Sequence, residues 1–256
     1  MRGHLGWALA SVISLGVSGL GTASAADLAA RPYIKAPAPV VVAMYDWSGF
    51  YIGANAGYGS SRKCFDFAGF VGFPVAPIRD NCLDATGALA GGQIGYNWQA
   101  GSWVFGLEAQ GDWADLNGRA PSLLFPGTTA RARINGIGLF TGRVGYAWNN
   151  VLLYVKGGAA VASDRYSSVF TATNVLISSA SETRWGGVAG AGIEFGFAPN
   201  WSVGLEYDHM FMGTRTLAFS GPFALPPLPL ERVRQDVDMG TVRINYRFGG
   251  PVVARY

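Results

Sequence analysis

Catalysis, metal binding and redox chemistry need particular side chains within reach of one another, and this chain of 256 residues offers few of them. It has two histidines, His4 and His209. His4 lies in a leader expected to be removed, which leaves His209, beside Asp208 in sequence. An imidazole next to a carboxylate can act as a general base, but a single histidine near a strand end is more often an interfacial residue. Gly187, Gly190 and Gly192 superficially match a dinucleotide loop, yet they sit inside an alternating strand pattern rather than at a strand-to-helix turn. Cys64 and Cys82 are the only cysteines. An even count in an exported chain points to a disulfide, with two free thiols as the alternative. No histidine lies nearby to make a metal site with them. The expectation is therefore no catalytic residue, no cofactor and no metal.

A larger set of charges recurs with a regular spacing. Glu108, Asp112, Arg133, Arg143, Lys156, Glu194, Glu206, Asp208, Arg243 and Arg247 all fall on one side of segments that alternate by two, the signature of a β-strand. Eight such segments follow one another from Trp47 onward. The first sets Phe50, Ile52, Ala54, Ala56 and Tyr58 against Tyr51, Gly53, Asn55 and Gly57. The second sets Ile94, Tyr96 and Trp98 against Gln93, Gly95 and Asn97. The third sets Trp103, Phe105, Leu107 and Trp113 against Gly106, Glu108, Gln110 and Asp112. The fourth sets Ile134, Phe140, Val144, Tyr146 and Trp148 against Arg133, Thr141 and Arg143, but leaves Ile137 and Leu139 on the polar side. The fifth pairs Leu153 and Val155 with Tyr154 and Lys156. The sixth pairs Ile193, Phe195 and Phe197 with Gly190, Gly192 and Glu194. The seventh pairs Trp201, Val203, Leu205 and Tyr207 with Ser202, Glu206 and Asp208. The eighth pairs Val242, Ile244, Tyr246 and Phe248 with Thr241, Arg243, Asn245 and Arg247.

The apolar faces carry aromatics at the segment ends and smaller aliphatics between, which is the layout of a lipid-facing band between two aromatic girdles. The polar faces carry five acids and five bases, as suits a closed interior in which each charge needs a partner. An eight-stranded barrel encloses little more than side chains, so these charges read as a structural plug, with a selectivity lining as the alternative. The inward glycines, among them Gly53, Gly91, Gly95, Gly106, Gly190 and Gly192, add no side-chain volume and are the observation that favours water-filled space. The connections alternate between short (Gln99–Ser102, Asn149–Asn150, Ala198–Asn200) and long (59–86, 115–130, 163–183 and 212–232), the pattern of an outer-membrane barrel. Closure removes the edges that lipid cannot satisfy. The fold expected is all-β: a transmembrane eight-stranded antiparallel up-and-down barrel.

Composition agrees. Glycine numbers 37, charged residues are 14% and aromatics 13%, against averages near ~7% glycine and ~25% charged. The net charge of +3 is no footprint for nucleic acid. Residues 1–25 read as an export signal: Arg2, an apolar run over Leu5–Leu20, and Ala23-Ser24-Ala25 before the cut. Residues 26–45, with Pro32, Pro37 and Pro39, read as an extended periplasmic leader. The barrel is expected over 46–248 and a tail over 249–256. Phe65, Phe67, Phe70, Phe73, Phe219, Phe223 and Leu225 are expected in surface loops, either as exposed tips or folded over the mouth. Lys63, Arg79, Arg119, Arg165 and Arg215 are candidates to meet lipopolysaccharide phosphates, or are ordinary solvated charges.

Several stretches resemble a known family. Trp47-Ser48-Gly49-Phe50-Tyr51-Ile52-Gly53-Ala54-Asn55 after a Pro-rich stretch, Gly142-Arg143-Val144-Gly145-Tyr146, Gly190-Ala191-Gly192-Ile193-Glu194 and Val242-Arg243-Ile244-Asn245-Tyr246-Arg247-Phe248 are similar in order and spacing to the small porin-like outer membrane immunogenic proteins of RopB type. The resemblance implies an OmpA-like eight-stranded barrel in the outer membrane of a Gram-negative bacterium. It also implies a role in membrane integrity and surface display, with small-solute passage as the alternative and a hydrolase or acyltransferase as a remote third. It carries over no catalytic residue. The partners expected are outer-membrane lipid, lipopolysaccharide and the barrel assembly machinery, with a monomer favoured. Barrels of this class end on an aromatic read during assembly; Phe248 fits that role better than Tyr256, because Pro251 stands against continuing the strand.

Overall fold

The structure is a computed structural model that describes residues 45–222 and 226–249. The expected signal, nearly all of the leader and the tail, and Phe223, Leu225 and Tyr256, lie outside the described residues. The described chain is eight strands: β1 Gly49–Phe70, β2 Phe73–Ala100, β3 Trp103–Pro121, β4 Thr128–Trp148, β5 Val151–Phe170, β6 Leu176–Ala198, β7 Trp201–Ala218 and β8 Pro229–Phe248. Each pairs antiparallel with its sequence neighbour, and β1 pairs with β8, closing the barrel. The short turns are built for strand reversal. Asn149, at φ +51°, opens the two-residue turn Asn149–Asn150, a position that asparagine tolerates better than most residues.

The strands are far longer than a membrane requires. A spanning strand needs roughly 9–11 residues, but β7 has 18 and β2 has 28. Even 18 residues at ~3.3 Å per residue, tilted by about 45°, rise well above an apolar band ~25 Å tall. The segments expected as long loops are therefore mostly paired strand. The β1–β2 connection narrows to Val71–Gly72, with Gly72 at φ +89°. The hairpins continue the barrel wall above the membrane.

The outer surface divides at one level. Phe50, Trp98, Trp103, Trp148, Phe195, Trp201 and Phe248 form a lower ring of exposed aromatics, and Tyr58, Trp113, Trp185, Tyr207 and Phe211 an upper one. Between them Ile52, Ile94, Leu107, Leu153, Val155, Leu205 and Val242 face outward. From Phe50 to Tyr58, β1 covers one membrane thickness. Above the upper ring the pattern inverts. Outward positions become polar (Arg62, Asp84, Asn117, Arg133, Arg165, Ser181), while Phe65, Leu83, Ala85, Leu116, Ile134, Tyr166 and Val233 turn inward and are buried.

One irregularity in β4 corrects two expectations. The β4–β5 register shifts between Ile134 and Gly136, so β4 carries one extra residue, Asn135, opposite β5. An extra residue in a period of two exchanges the faces. Ile134 is buried rather than lipid-facing, and Arg133 stands on the outer wall rather than in the interior. Ile137 and Leu139 lie beyond the shift, keep the inward parity of Thr141 and Arg143, and belong to the apolar filling.

Candidate functional site

The bore is filled in three layers. At the periplasmic end Trp47 closes the mouth. Its backbone N–H donates to Gln99 Oε1 at 2.7 Å and its indole N–H to the Asn149 carbonyl at 3.2 Å. The ring packs with Val104, Ala147, Leu152 and Tyr154. Beside it the Arg247 guanidinium lies 4.4 Å from the Tyr45 ring centroid and donates to the Pro199 carbonyl at 3.0 Å.

Above this floor lies a buried ionic network. Alternation in β3, β4, β5, β6, β7 and β8 aims Glu108, Arg143, Lys156, Glu194, Glu206, Asp208 and Arg243 at one another. Arg243 bridges Glu108 and Glu206. Lys156 Nζ sits 2.7 Å from Glu206 and 3.1 Å from Asp208. Arg143 lies 3.7 Å from Glu108 and 3.6 Å from Glu194, and is sandwiched between the rings of Tyr51 and Tyr154 at 4.7 and 5.1 Å. The two tyrosine hydroxyls donate to Glu108 and Glu206 at 2.6 Å each. Asn97, Ser202 and Asn245 bind the flanks. Asp112 accepts from Gln110 at 2.8 Å at the upper edge. Of the ten charges expected inside, the structure buries nine; Arg133, displaced by the β4 irregularity, instead pairs with Asp115 on the outer wall at 2.6 Å.

The inward glycines do not leave water-filled space. A Cβ at Gly95 would lie 2.3 Å from the Tyr51 hydroxyl, at Gly192 2.5 Å from that of Tyr154, at Gly190 2.1 Å from Asp208, and at Gly106 2.3 Å from Asn97. The glycines are the sockets into which the large members of the network fit.

The third layer is apolar. Leu89, Leu116, Ile134, Ile137, Leu139, Val188, Met210, Val237 and Met239 fill the bore above the ions. Higher still, Lys63 pairs with Asp164 inside the wall, its ammonium 4.8 Å from the Tyr166 ring centroid. Lys63 is thus no surface cation, contrary to the sequence-based expectation. Burial pulls its ammonium below the usual lysine range, with Asp164 opposing. Phe65 and Phe219 are buried here too, while Phe70 and Phe73 remain exposed.

The extracellular end is tied together by carboxylates and a disulfide. Asp80 accepts the N–H groups of Leu123 and Leu124 and the Ser122 hydroxyl, all at 2.8 Å, binding β2 to the β3–β4 turn. Burial, then the nearby Asp80 charge, push Glu231 up to about 7. Cys64 and Cys82 stand directly opposite across β1 and β2 and form a disulfide.

His209 faces outward at the upper ring, away from Asp208, and its Nδ1 is 2.6 Å from Asp238. Asp238 also accepts from Tyr207 at 2.6 Å. Ser60 lies across from Asp238 on β1. The carboxylate therefore stands between hydroxyl and imidazole, the reverse of a nucleophile–base–acid order. Among the described residues no group of three or more His, Cys, Asp or Glu could hold a metal ion. Sequence reasoning missed the apolar layer, whose one visible trace was Ile137 and Leu139.

A closed antiparallel barrel with two aromatic rings and a sealed polar core defines an integral β-barrel protein of the outer membrane. The chain belongs to the outer membrane protein beta-barrel domain family, whose model matches residues 13–248. It is 28% identical over 227 residues to the 31 kDa outer-membrane immunogenic protein of Brucella melitensis, covering 84% of this chain and 89% of that protein. It is 30% identical over 170 residues to the 22 kDa outer membrane protein of Rhizobium leguminosarum, covering 64% and 63%. Among solved structures, OprG from Pseudomonas aeruginosa is similar at 14% identity and a TM-score of 0.48, covering 79% of this chain and 97% of that one. The protein resides in the outer membrane of a Gram-negative cell.

Proposed function

We propose that the protein is a structural and display element of the outer membrane: a monomeric barrel that does not conduct, holding four extracellular hairpins above the lipid. The single observation that carries this reading is the stacking of the ionic network beneath an apolar layer. An ion following the bore would have to break the network and then cross Leu116, Ile137, Leu139 and Met239, where nothing replaces its hydration. Several buried oxygens of the network, including Asp208 Oδ1 and the Thr241 hydroxyl, have no direct hydrogen-bond partner. They suit a few enclosed waters rather than a passage.

Catalysis is no part of this reading, since the Asp238–His209 pair lacks a nucleophile on the imidazole side. Lipid and lipopolysaccharide are the expected surroundings. Phe248 suits the assembly machinery's signal, ending β8 with its ring outward, 5.8 Å from Phe50 and 5.1 Å from Tyr246. Single-channel recording of the refolded chain in planar bilayers tests the reading. A flat trace from protein with heat-modifiable gel mobility is expected; reproducible conductance steps would replace it with the narrow-channel alternative.

A further inference from the structure

The outer wall of β3, β4 and β5 carries an arrangement that neither folding nor lipid solvation explains. Arg119 lies directly across from Arg131, and Arg133 directly across from Arg165. Arg131 and Arg133 are two residues apart on the same face of β4, so the four guanidiniums form one block. Like charges placed opposite each other across strands destabilise a sheet. Compensation is thin. Arg133 pairs with Asp115, and Arg131 donates to the Asn174 side chain at 2.7 Å. Arg119 and Arg165 have no acidic partner among the described residues. Asp84, which lines the same recess, is paired with Arg62 at 3.3 Å. The block lines a recess of about 1350 Å³ whose polar rim includes Ser179 and Ser181. The wall between β8 and β2 is different: there Arg62, Arg79, Arg232 and Arg234 are interleaved with Asp66, Asp84 and Asp236.

Directly below the arginines the wall is bare. Gly111 and Gly138 pair across β3 and β4, and Gly136 pairs with Trp113. They open a groove of about 490 Å³ bordered by Trp113 and Val161, with Ser163 and Thr183 at its upper end. Trp113 is 82% exposed and marks the upper membrane boundary. From Trp113 to Asn117, the neighbour of Arg133, is four residues of strand, about 13 Å. With the strand tilted, that height is the headgroup zone of the outer leaflet. An acyl-sized groove in the hydrocarbon thus stands under an anion-sized cationic block in the headgroups.

We propose that this wall is a docking site for one multiply acylated, multiply anionic glycolipid of the outer leaflet. An acyl chain lies over Gly111, Gly136 and Gly138, and the headgroup oxyanions meet Arg119, Arg131, Arg133 and Arg165. Guanidiniums suit that role because they bind oxyanions in a fixed two-pronged geometry. The inference rests on the outer-membrane placement, and not on whether the bore conducts.

The test is native mass spectrometry of the refolded chain in detergent, titrated with hexa-acylated bis-phosphorylated lipid A. A one-lipid adduct is expected. Arg119→Gln with Arg133→Gln and Arg165→Gln should weaken it about tenfold or more, the loss of even one charge-assisted contact being worth that much. Gly111→Leu with Gly136→Leu should weaken it while leaving every arginine in place. A Cβ at Gly111 meets open space, so this variant should fold. Should the triple variant fail to show heat-modifiable mobility, Arg119→Gln with Arg165→Gln, which retains the Arg133–Asp115 pair, takes its place. Equal binding of phosphatidylcholine, displacement by millimolar inorganic phosphate, or full retention by the folded variants would overturn the proposal. A chain that never acquires heat-modifiable mobility would instead count against the membrane barrel itself.

Discussion

The lower and upper halves of this barrel use the same eight strands and opposite solvents. Below the ring of Tyr58, Trp113, Trp185 and Tyr207, the outside is aliphatic and the inside holds Arg243, Lys156 and their carboxylates. Above it, the outside is arginine, aspartate and serine, and the inside is mostly leucine, isoleucine and methionine, with the Lys63–Asp164 pair among them. The upper half is built like a water-soluble barrel, the lower half like one turned inside out. The comparison teaches that a strand's alternation says which residues share a face, whereas the surrounding solvent decides which face is buried. In lipid there is no gain in putting leucine inward, so the interior falls to groups that hydrocarbon would punish.

The two halves should therefore break differently. The largest effect is expected from Arg243→Leu, which leaves Glu108 and Glu206 buried beside a lost cation. Removing one partner of a buried ionic cluster costs about 3–5 kcal/mol, readable as a fall in the urea midpoint of the barrel in lipid vesicles. Leu116→Ala in the upper half removes only packing. It should cost about 2–5 kcal/mol, and should raise amide exchange in the extracellular hairpins more than in the membrane segment.

A smaller and pH-dependent effect is expected at the top. Glu231 is raised to about 7 in the folded protein, above the value it has in an open hairpin. A raised acid adds stability that is fully present below the unfolded value and is lost as pH rises through the folded one. Proteolysis of the extracellular hairpins should therefore be slowest near pH 4, accelerate between about pH 5 and 7, and level off above that. Glu231→Gln should flatten that profile. The smallest effect is expected from Arg62→Ala. Its pairing with Asp84 is exposed on both sides, so the urea midpoint should move by less than about 1 kcal/mol.

Much of the lower half was legible in the sequence, because a membrane forces strict alternation and nine of the ten interior charges follow from parity alone. Arg133 escaped because the single extra residue Asn135 reverses parity in β4, and no residue type announces it. The upper half escaped for a deeper reason. Lys63, Phe65, Leu83 and Leu116 alternate correctly but in the opposite sense, and the polar stretches between them read as loops. The glycine sockets were visible as glycines, yet spacing along one strand does not say that Tyr51 fills the place beside Gly95 on another.

The central claim, that the wall inverts its polarity at the upper aromatic ring, is tested most directly by spin labels along β5 in a Cys64→Ser, Cys82→Ser background reconstituted in vesicles. Labels at Leu153, Val155 and Ala159 should collide with dissolved oxygen, and labels at Ser163, Arg165 and Ser167 with a water-soluble nickel chelate. Labels at Ala160, Ala162 and Tyr166 should meet neither. An oxygen signature continuing to Ser167, or nickel access at Ala160 and Ala162, would contradict it.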